Sequence, residues 1–460
     1  MSNPINRASA PLAAGLLALG LGAPAYGQVI NEDSKLIAGD GIFNDQFGYA
    51  VDIQGGLVAV GARNQNIFGF NSGSVYIIDE GTGALVQKII PSDGTQNDLF
   101  GHSVAISNGI VVVGAFKDDD NGENSGSAYI YNATTGTLIA KLSPDDSAPG
   151  DNFGISVAID DGIVAVGSYN DDDAGFSSGS VYLFDASTGA QLFKLVADDA
   201  SQLDQLGFDV AIDNGLVVAG AHNDGDNGSG SGSAYVFDAT TGNQLAKLLA
   251  SDGSMNDSFG LSVDIEGTTA VVGAYLRDDG IGFDNSGAVY IFDALTGNEL
   301  DIIVPDDQSP GHWFGNAVAI DNGVVIVGAS QDFDNANYSG AAYLFDAQTG
   351  NQMAKLLASD GGAMDTFGRD VSISNGSIIV GAYRNDDPFN PWGGAAYLFT
   401  APAISCAADL TDDGELNFFD VSAFLSAFND GDSSADFTGD GNFNFFDVSA
   451  FLKAFAAGCP

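Results

Sequence analysis

The sequence predicts an all-β fold, a seven-bladed β-propeller closed by its N-terminal strand, with a small α-helical domain behind it. Three observations predict it. A unit of about 53 residues recurs seven times, each unit holds four strand-like runs, and the two ends of the array supply each other's missing piece. Aligned on the pair Phe-Gly, the units start at Phe47, Phe100, Phe153, Leu206, Phe259, Phe314 and Phe367, with steps of 53, 53, 53, 53, 55 and 53 residues.

Residues 1–27 read as an export signal: Arg7 gives the positive start, "PLAAGLLALGLG" the apolar stretch, and Ala25 and Gly27 the small residues before a cleavage site after Gly27. The apolar run is too short to span a bilayer, and no other stretch of about 20 apolar residues follows, so no membrane insertion is expected. The expected location is secreted or extracellular, in association with a cell surface or free of it.

Residues 28–400 form the repeat array. Ser34–Gly48, "SKLIAGDGIFNDQFG", aligns with Ala246–Gly260, "AKLLASDGSMNDSFG", and so reads as a fourth strand with no unit before it. A typical unit follows as "FGISVAIDDGIVAVGSYNDDDAGFSSGSVYLFDASTGAQLFKL". Its "SVAI" and "IVAVGS" are strands joined by Asp-Gly or Asn-Gly, the pair a type I′ hairpin needs because both central residues take φ > 0. "GSVYLFD" carries the aromatic and β-branched residues of a packed strand, and "AQLFKL" is the fourth. The seventh unit stops after its third strand, "GAAYLFT". One leading strand, six full units and a last unit of three strands make seven complete blades, and few edges stay open.

The units resemble the FG-GAP repeat, also found in integrin α-chains, with "FG" at the start and "VGAF", "VGAY" or "VGAS" at the GAP. Integrin-type repeats hold calcium between their first and second strands. Here that connection is only "SNG", "DDG" or "DNG", too short for a metal loop. Acidic residues gather instead between the second and third strands, in "KDDDNGENSG", "NDDDAGFSSG" and "NDGDNGSGSG". Asp118, Asp120, Asp171, Asp173, Asp224 and Asp226 alternate there, as a solvated polar rim or as cation ligands.

Charge and chemistry limit the function. Against 61 Asp and Glu stand 13 Lys and Arg, a net charge of −48, which repels nucleic acid and anionic lipid. Such a surface suits a soluble exported protein or one that meets divalent cations. The three histidines, His102, His222 and His312, fall in different units with no triad, zinc or phosphate-loop spacing around them. A non-catalytic monomer is expected, with a glycan or a protein as ligand of the propeller.

Residues 401–460 say one thing twice, "ADLTDDGELNFFDVSAFLSAF" and "ADFTGDGNFNFFDVSAFLKAF". Asp409, Thr411, Asp413, Asn417 and Asp420 occupy positions 1, 3, 5, 9 and 12 of a calcium loop, with Gly414 at the sharp turn and the Glu415 carbonyl at position 7. Asp436, Thr438, Asp440, Asn444 and Asp447 repeat that spacing, with Gly441 and the Asn442 carbonyl. Two Ca²⁺ ions are expected. The series Val421, Phe424, Leu425, Phe428 and Val448, Phe451, Leu452, Phe455 are the apolar stripes of two short helices. Cys406 and Cys459 bracket the pair. In an exported chain their disulfide would close about 54 residues, worth roughly 4 kcal/mol. The duplicated loop–helix unit resembles the dockerin domain, which binds cohesin modules in secreted bacterial proteins. That resemblance implies a cohesin-like partner or surface scaffold. It also implies recognition through the residues before the closing Asp, here Phe418 and Phe419, Phe445 and Phe446; alternatively these rings fill the small core. The leading expectation is a propeller binding or adhesion protein anchored through a calcium-dependent module. The alternative is a dockerin-borne extracellular hydrolase or lyase acting on polysaccharide.

Overall fold

The computed structural model of the chain describes residues 28–278, 284–386, 392–402, 408–411, 416–438 and 441–457. Outside the described residues lie the export signal, Cys406, Cys459, Asp413, Gly414, Glu415 and Asp440.

Among the described residues there are seven sheets, one for each predicted unit, in which the four blade strands run antiparallel. The first blade runs β3 (Phe47–Gln54), β4 (Leu57–Ala62), β5 (Ser74–Asp79) and β6 (Leu85–Ile89), hydrogen-bonded in that order. The strand connections have the expected turn: in the second blade Asn108 and Gly109 take φ of 51° and 76°. Each core lies between neighbouring blades. Val75, Ile77 and Ile89 of the first, for example, pack with Phe100, Val111 and Tyr129 of the second.

The N-terminal segment closes the ring as predicted. Strand β2 (Ser34–Leu36) pairs antiparallel with Ala395–Thr400 of the seventh blade, Lys35 opposite Tyr397 and Leu36 opposite Ala396. Leu36 is buried there. One further strand was not predicted. β1 (Gln28–Asn31) runs parallel to Gln352–Leu357 and makes the sixth blade five-stranded. The N-terminus therefore ties two blades together.

The FG and GA signatures meet at the seams between blades. A Cβ on the Gly that ends the second strand ("VGA", "VGS" or "AGA") would lie 1.8–2.2 Å from the carbonyl oxygen of the glycine of the FG pair in the next blade, Gly220 against Gly260 being the tightest. The same contact joins Gly381 of the seventh blade to Gly48 of the first at 2.2 Å, so the seam runs round the whole ring. Only glycine allows backbones this close.

At the C-terminus, α1 (Phe418–Asp430) starts with a capping box between Asn417 and Asp420 and ends at Gly431, which takes φ of 67°. With α2 (Phe445–Ala457) it forms a small core. The Phe424 and Phe451 rings stack at 4.1 Å and 5°, and Phe437 meets both edge-on. The stripe differs from expectation at two places: Leu425 and Leu452 are exposed. A two-helix layer buries only the arc facing the partner helix, and their positions lie beyond it.

Candidate functional site

Two regions carry unusual chemistry. In the C-terminal pair, position 3 and position 12 of each loop come together. The Thr411 hydroxyl donates to Asp420 Oδ1 at 2.8 Å, and the Thr438 hydroxyl to Asp447 Oδ1 at 2.8 Å. Thr411 Oγ1 also lies 3.2 Å from Asp409 Oδ1, which brings position 1 into the same group. The other oxygen of each closing Asp accepts from a helix N-cap, Asn417 N at 2.9 Å and Asn444 N at 2.8 Å. These backbone bonds are the main cause that holds Asp420 down to about 2, and they lower Asp447 likewise. One residue thus caps the helix and closes the loop.

The donor set fits calcium. It is all oxygen, rich in carboxylate, and Asp436 Oδ1 is buried without a hydrogen-bond partner while its Oδ2 accepts from Gly441 N at 2.8 Å. Asn442 offers its carbonyl to Asn444 Nδ2 at 2.9 Å. The four phenylalanines do not fill the core. Phe418, Phe419, Phe445 and Phe446 are 77%, 67%, 75% and 69% exposed. They form two edge-on pairs, each at 6.4 Å between ring centres.

In four blades the acidic loops of the propeller are not a free rim. A lysine from the fourth strand sits among their carboxylates. Lys247 Nζ lies 2.8 Å from Asp199, 3.0 Å from Asp224 and 2.7 Å from Asp226, and 5.0 Å from the centre of the Tyr235 ring. Lys141 gathers Asp93, Asp118 and Asp120 in the same way; Lys194 gathers Asp146, Asp171 and Asp173; Lys355 gathers Asp307, Asp332 and Asp334. The ammonium does the work a bound cation would do. The inner carboxylate of each group is buried and within hydrogen-bond distance of a buried tyrosine hydroxyl, Tyr235 to Asp224 at 2.9 Å.

The fifth blade reverses the arrangement. Ile302 stands opposite Tyr290 where the others carry lysine, and Arg277 stands where the second, third, fourth and sixth blades carry the inner aspartate and the first and seventh carry Gln65 and Asn385. Arg277 pairs with Asp252 at 2.6 Å. Sequence reasoning missed these lysines because each lies 21 to 48 residues from its acids. A signal was present: in a chain with 13 basic residues, six lysines recur at one position of the unit, Lys35, Lys88, Lys141, Lys194, Lys247 and Lys355.

That leaves four cations in the propeller. Among the described residues, Arg63, Lys117, Arg369 and Arg384 form no ion pair with a carboxylate. All four stand within two residues after an FG or a GA, and Arg369 lines the central channel. No helix among the described residues is long and apolar enough to cross a membrane.

No curated protein sequence matches the chain significantly. Its backbone is similar to that of the computationally designed Ika8 protein, with a TM-score of 0.48 and 16% identity over 80% of this chain and 99% of that one, a likeness too weak to carry an argument. The FG-GAP repeat profile, by contrast, matches residues 30–78, 84–131, 137–184, 190–237, 243–292, 298–345 and 351–399, one match to a blade. The chain belongs to the FG-GAP repeat family.

Proposed function

We propose that this is an exported, non-catalytic binding protein. Its propeller presents a ligand face, and its C-terminal pair of loop–helix units, loaded with two Ca²⁺, docks to a cohesin-like module or a surface scaffold. The observation that supports docking is the exposure of Phe418, Phe419, Phe445 and Phe446 beside a core already filled by Phe424, Phe437 and Phe451. Two such pairs on a domain of about 55 residues form an apolar patch of the kind that marks an interaction site. When bound, calcium would offset the repulsion among the carboxylates gathered in each loop. The residues that would hold it are Asp409, Thr411, Asp413, Glu415, Asn417 and Asp420 in the first loop, and Asp436, Thr438, Asp440, Asn442, Asn444 and Asp447 in the second.

The test is binding of the full chain to a panel of purified cohesin modules, with calcium and with chelator. The reading expects calcium-dependent binding, modest weakening by Phe418→Ala with Phe419→Ala, and loss when all four phenylalanines are changed while two Ca²⁺ still bind. A four-fold variant that cannot fold in excess calcium, or a wild type that binds no module, would overturn it.

A further inference from the structure

The innermost strands of the seven blades enclose a channel whose cavity measures about 550 Å³, a size that holds a small organic ligand. It stays open because inward positions carry small residues such as Ala50, Ser103, Ser156 and Ala317. Tyr49, His102 and Arg369, the residues after FG in three blades, stand at one mouth.

Two guanidinium groups crowd one ring there. Arg63 Cζ lies 3.3 Å and Arg369 Cζ 4.8 Å from the centre of Tyr49, and Arg369 Nη2 bonds to the Tyr49 hydroxyl at 2.8 Å. Arg63 is fixed in addition by Gln46 Oε1 at 2.9 Å and by His102 Nδ1 at 3.1 Å. His102 accepts that bond as a neutral ring: burial, then the charges of Arg63, Arg369 and Lys117, hold it well below the usual histidine range. Further out, Lys117 stands 5.6 Å from the Phe116 ring and Arg384 5.2 Å from Tyr383. The carboxylate next in sequence, Asp370, turns instead to the Val51 N–H at 2.7 Å.

The arrangement is a concentration of unpaired positive charge in a protein of net charge −48. Like charges held together and partly desolvated destabilise one another unless an anion arrives. Among the described residues one N–H of Arg369 and two of Arg63 are hydrogen-bonded, so both forks keep donors for a carboxylate. Phe208, Tyr275 and Trp313 complete the same mouth with aromatic faces, and Asp209 and Asp264 line the channel further along the inner strands. Burial pushes Asp209 up to about 7 and Asp264 to about 8, so these carboxyls both donate to and accept from hydroxyl groups, and aromatic faces suit the C–H side of a sugar ring.

We propose that the channel mouth is a binding site for an acidic saccharide, with the carboxylate of a uronic acid residue held by Arg63 and Arg369 over Tyr49 and its hydroxyls directed into the channel. The site is separate from the C-terminal docking patch and stands or falls independently of it. It is tested on the full chain in chelator, so that no calcium bridges the ligand, by calorimetric titration with tri-galacturonate, a glucuronate-containing trimer and tri-mannuronate. Galactotriose and inorganic phosphate serve as the neutral and the non-saccharide arms. The expected result is binding of at least one uronate trimer that weakens tenfold or more in Arg369→Gln and in Arg63→Gln and about threefold in the half-exposed Lys117→Gln. Lys453→Gln, on the C-terminal helix, should leave it unchanged. Should either arginine variant fail to fold, the Lys117→Gln and Lys453→Gln pair carries the comparison. No binding of any uronate trimer at millimolar concentration, equal binding of galactotriose or phosphate, or affinity indifferent to Lys117 and the arginines would each overturn the proposal.

Discussion

Replacing Lys247 by isoleucine tests whether the lysine-centred groups hold the blades, and the protein itself contains the control. Asp224 is 3% exposed, and in the variant it keeps only the Tyr235 hydroxyl at 2.9 Å and the Asp226 N–H at 2.9 Å. Leaving one buried partner without its counter-charge costs about 3–5 kcal/mol, whereas the half-exposed Asp199 and Asp226 contribute about 0–1 kcal/mol each. We expect Lys247→Ile to cost about 3–4 kcal/mol, a large part of a typical domain's stability. Adding Asp224→Arg recreates the fifth blade, where Ile302 and Arg277 occupy these positions and Arg277 pairs with Asp252. The double variant should recover about 2 kcal/mol or more relative to the single one, because the new guanidinium can pair with Asp199 as Arg277 does with Asp252. Burial alone would lower the Lys247 amine, but hydrogen bonds to Asp199 and Asp226 overcome it and hold it raised. Burial alone would raise Asp199, but the bond from Lys247 holds it lowered. The raised amine stabilises below its unfolded value near 10.4, and the lowered carboxylate above its unfolded value near 3.9. The difference between wild type and Lys247→Ile should therefore be flat from about pH 5 to 10, and shrink below that window. Urea unfolding followed by circular dichroism, at pH 7 and pH 3, measures it. A loss under about 1 kcal/mol at pH 7, or a double variant no better than Lys247→Ile, would refute the reasoning.

Leu36→Ala should cost about 2–4 kcal/mol by opening a cavity in the strand that closes the seventh blade, and deletion of residues 28–40 should cost more; an unchanged melting temperature of the truncated chain would show that the ring closes without it. Gly220→Ala places a Cβ 1.8 Å from Gly260 O and should prevent stable folding, while Gly225→Ala, with nothing nearer than 4.0 Å, should be tolerated; equal stability of the two would dismiss the seam. In the channel, burial pushes Asp264 up to about 8, Asp209 to about 7 and Asp370 to about 6. These folded values exceed the unfolded value near 3.9, so the folded ring binds more protons and its stability should rise as pH falls from 8 to 5. Asp264→Asn with Asp209→Asn should flatten that slope in a thermal scan, and a wild-type slope of the opposite sign would contradict it. Asp409→Ala with Asp436→Ala should remove the calcium-induced rise in melting temperature of the C-terminal unit; an unchanged rise would move the ions elsewhere.

The seven blades, the closing strand and the two C-terminal helices were legible in the sequence because each is written in short-range pattern. Strand alternation, turn residues and helical period act over fewer than about 15 residues, and the repeat copies the first two seven times. Strand β1 was not legible, since "QVIN" is too short to carry a pattern and its partner lies more than 320 residues away. The same distance hid the fate of the acidic loops. Asp224 looks like a ligand until the fold brings Lys247 to 3.0 Å, because charge pairing depends on which strands are neighbours and not on spacing along the chain. In the C-terminal pair the helical period marked Phe424 and Phe451 correctly but not Leu425 and Leu452, for only the packed arc of each helix faces its partner. The channel mouth is the extreme case. Tyr49, Arg63, His102 and Arg369 are unremarkable in their own units, and become a site only because ring closure sets the first blade beside the second on one side and the seventh on the other.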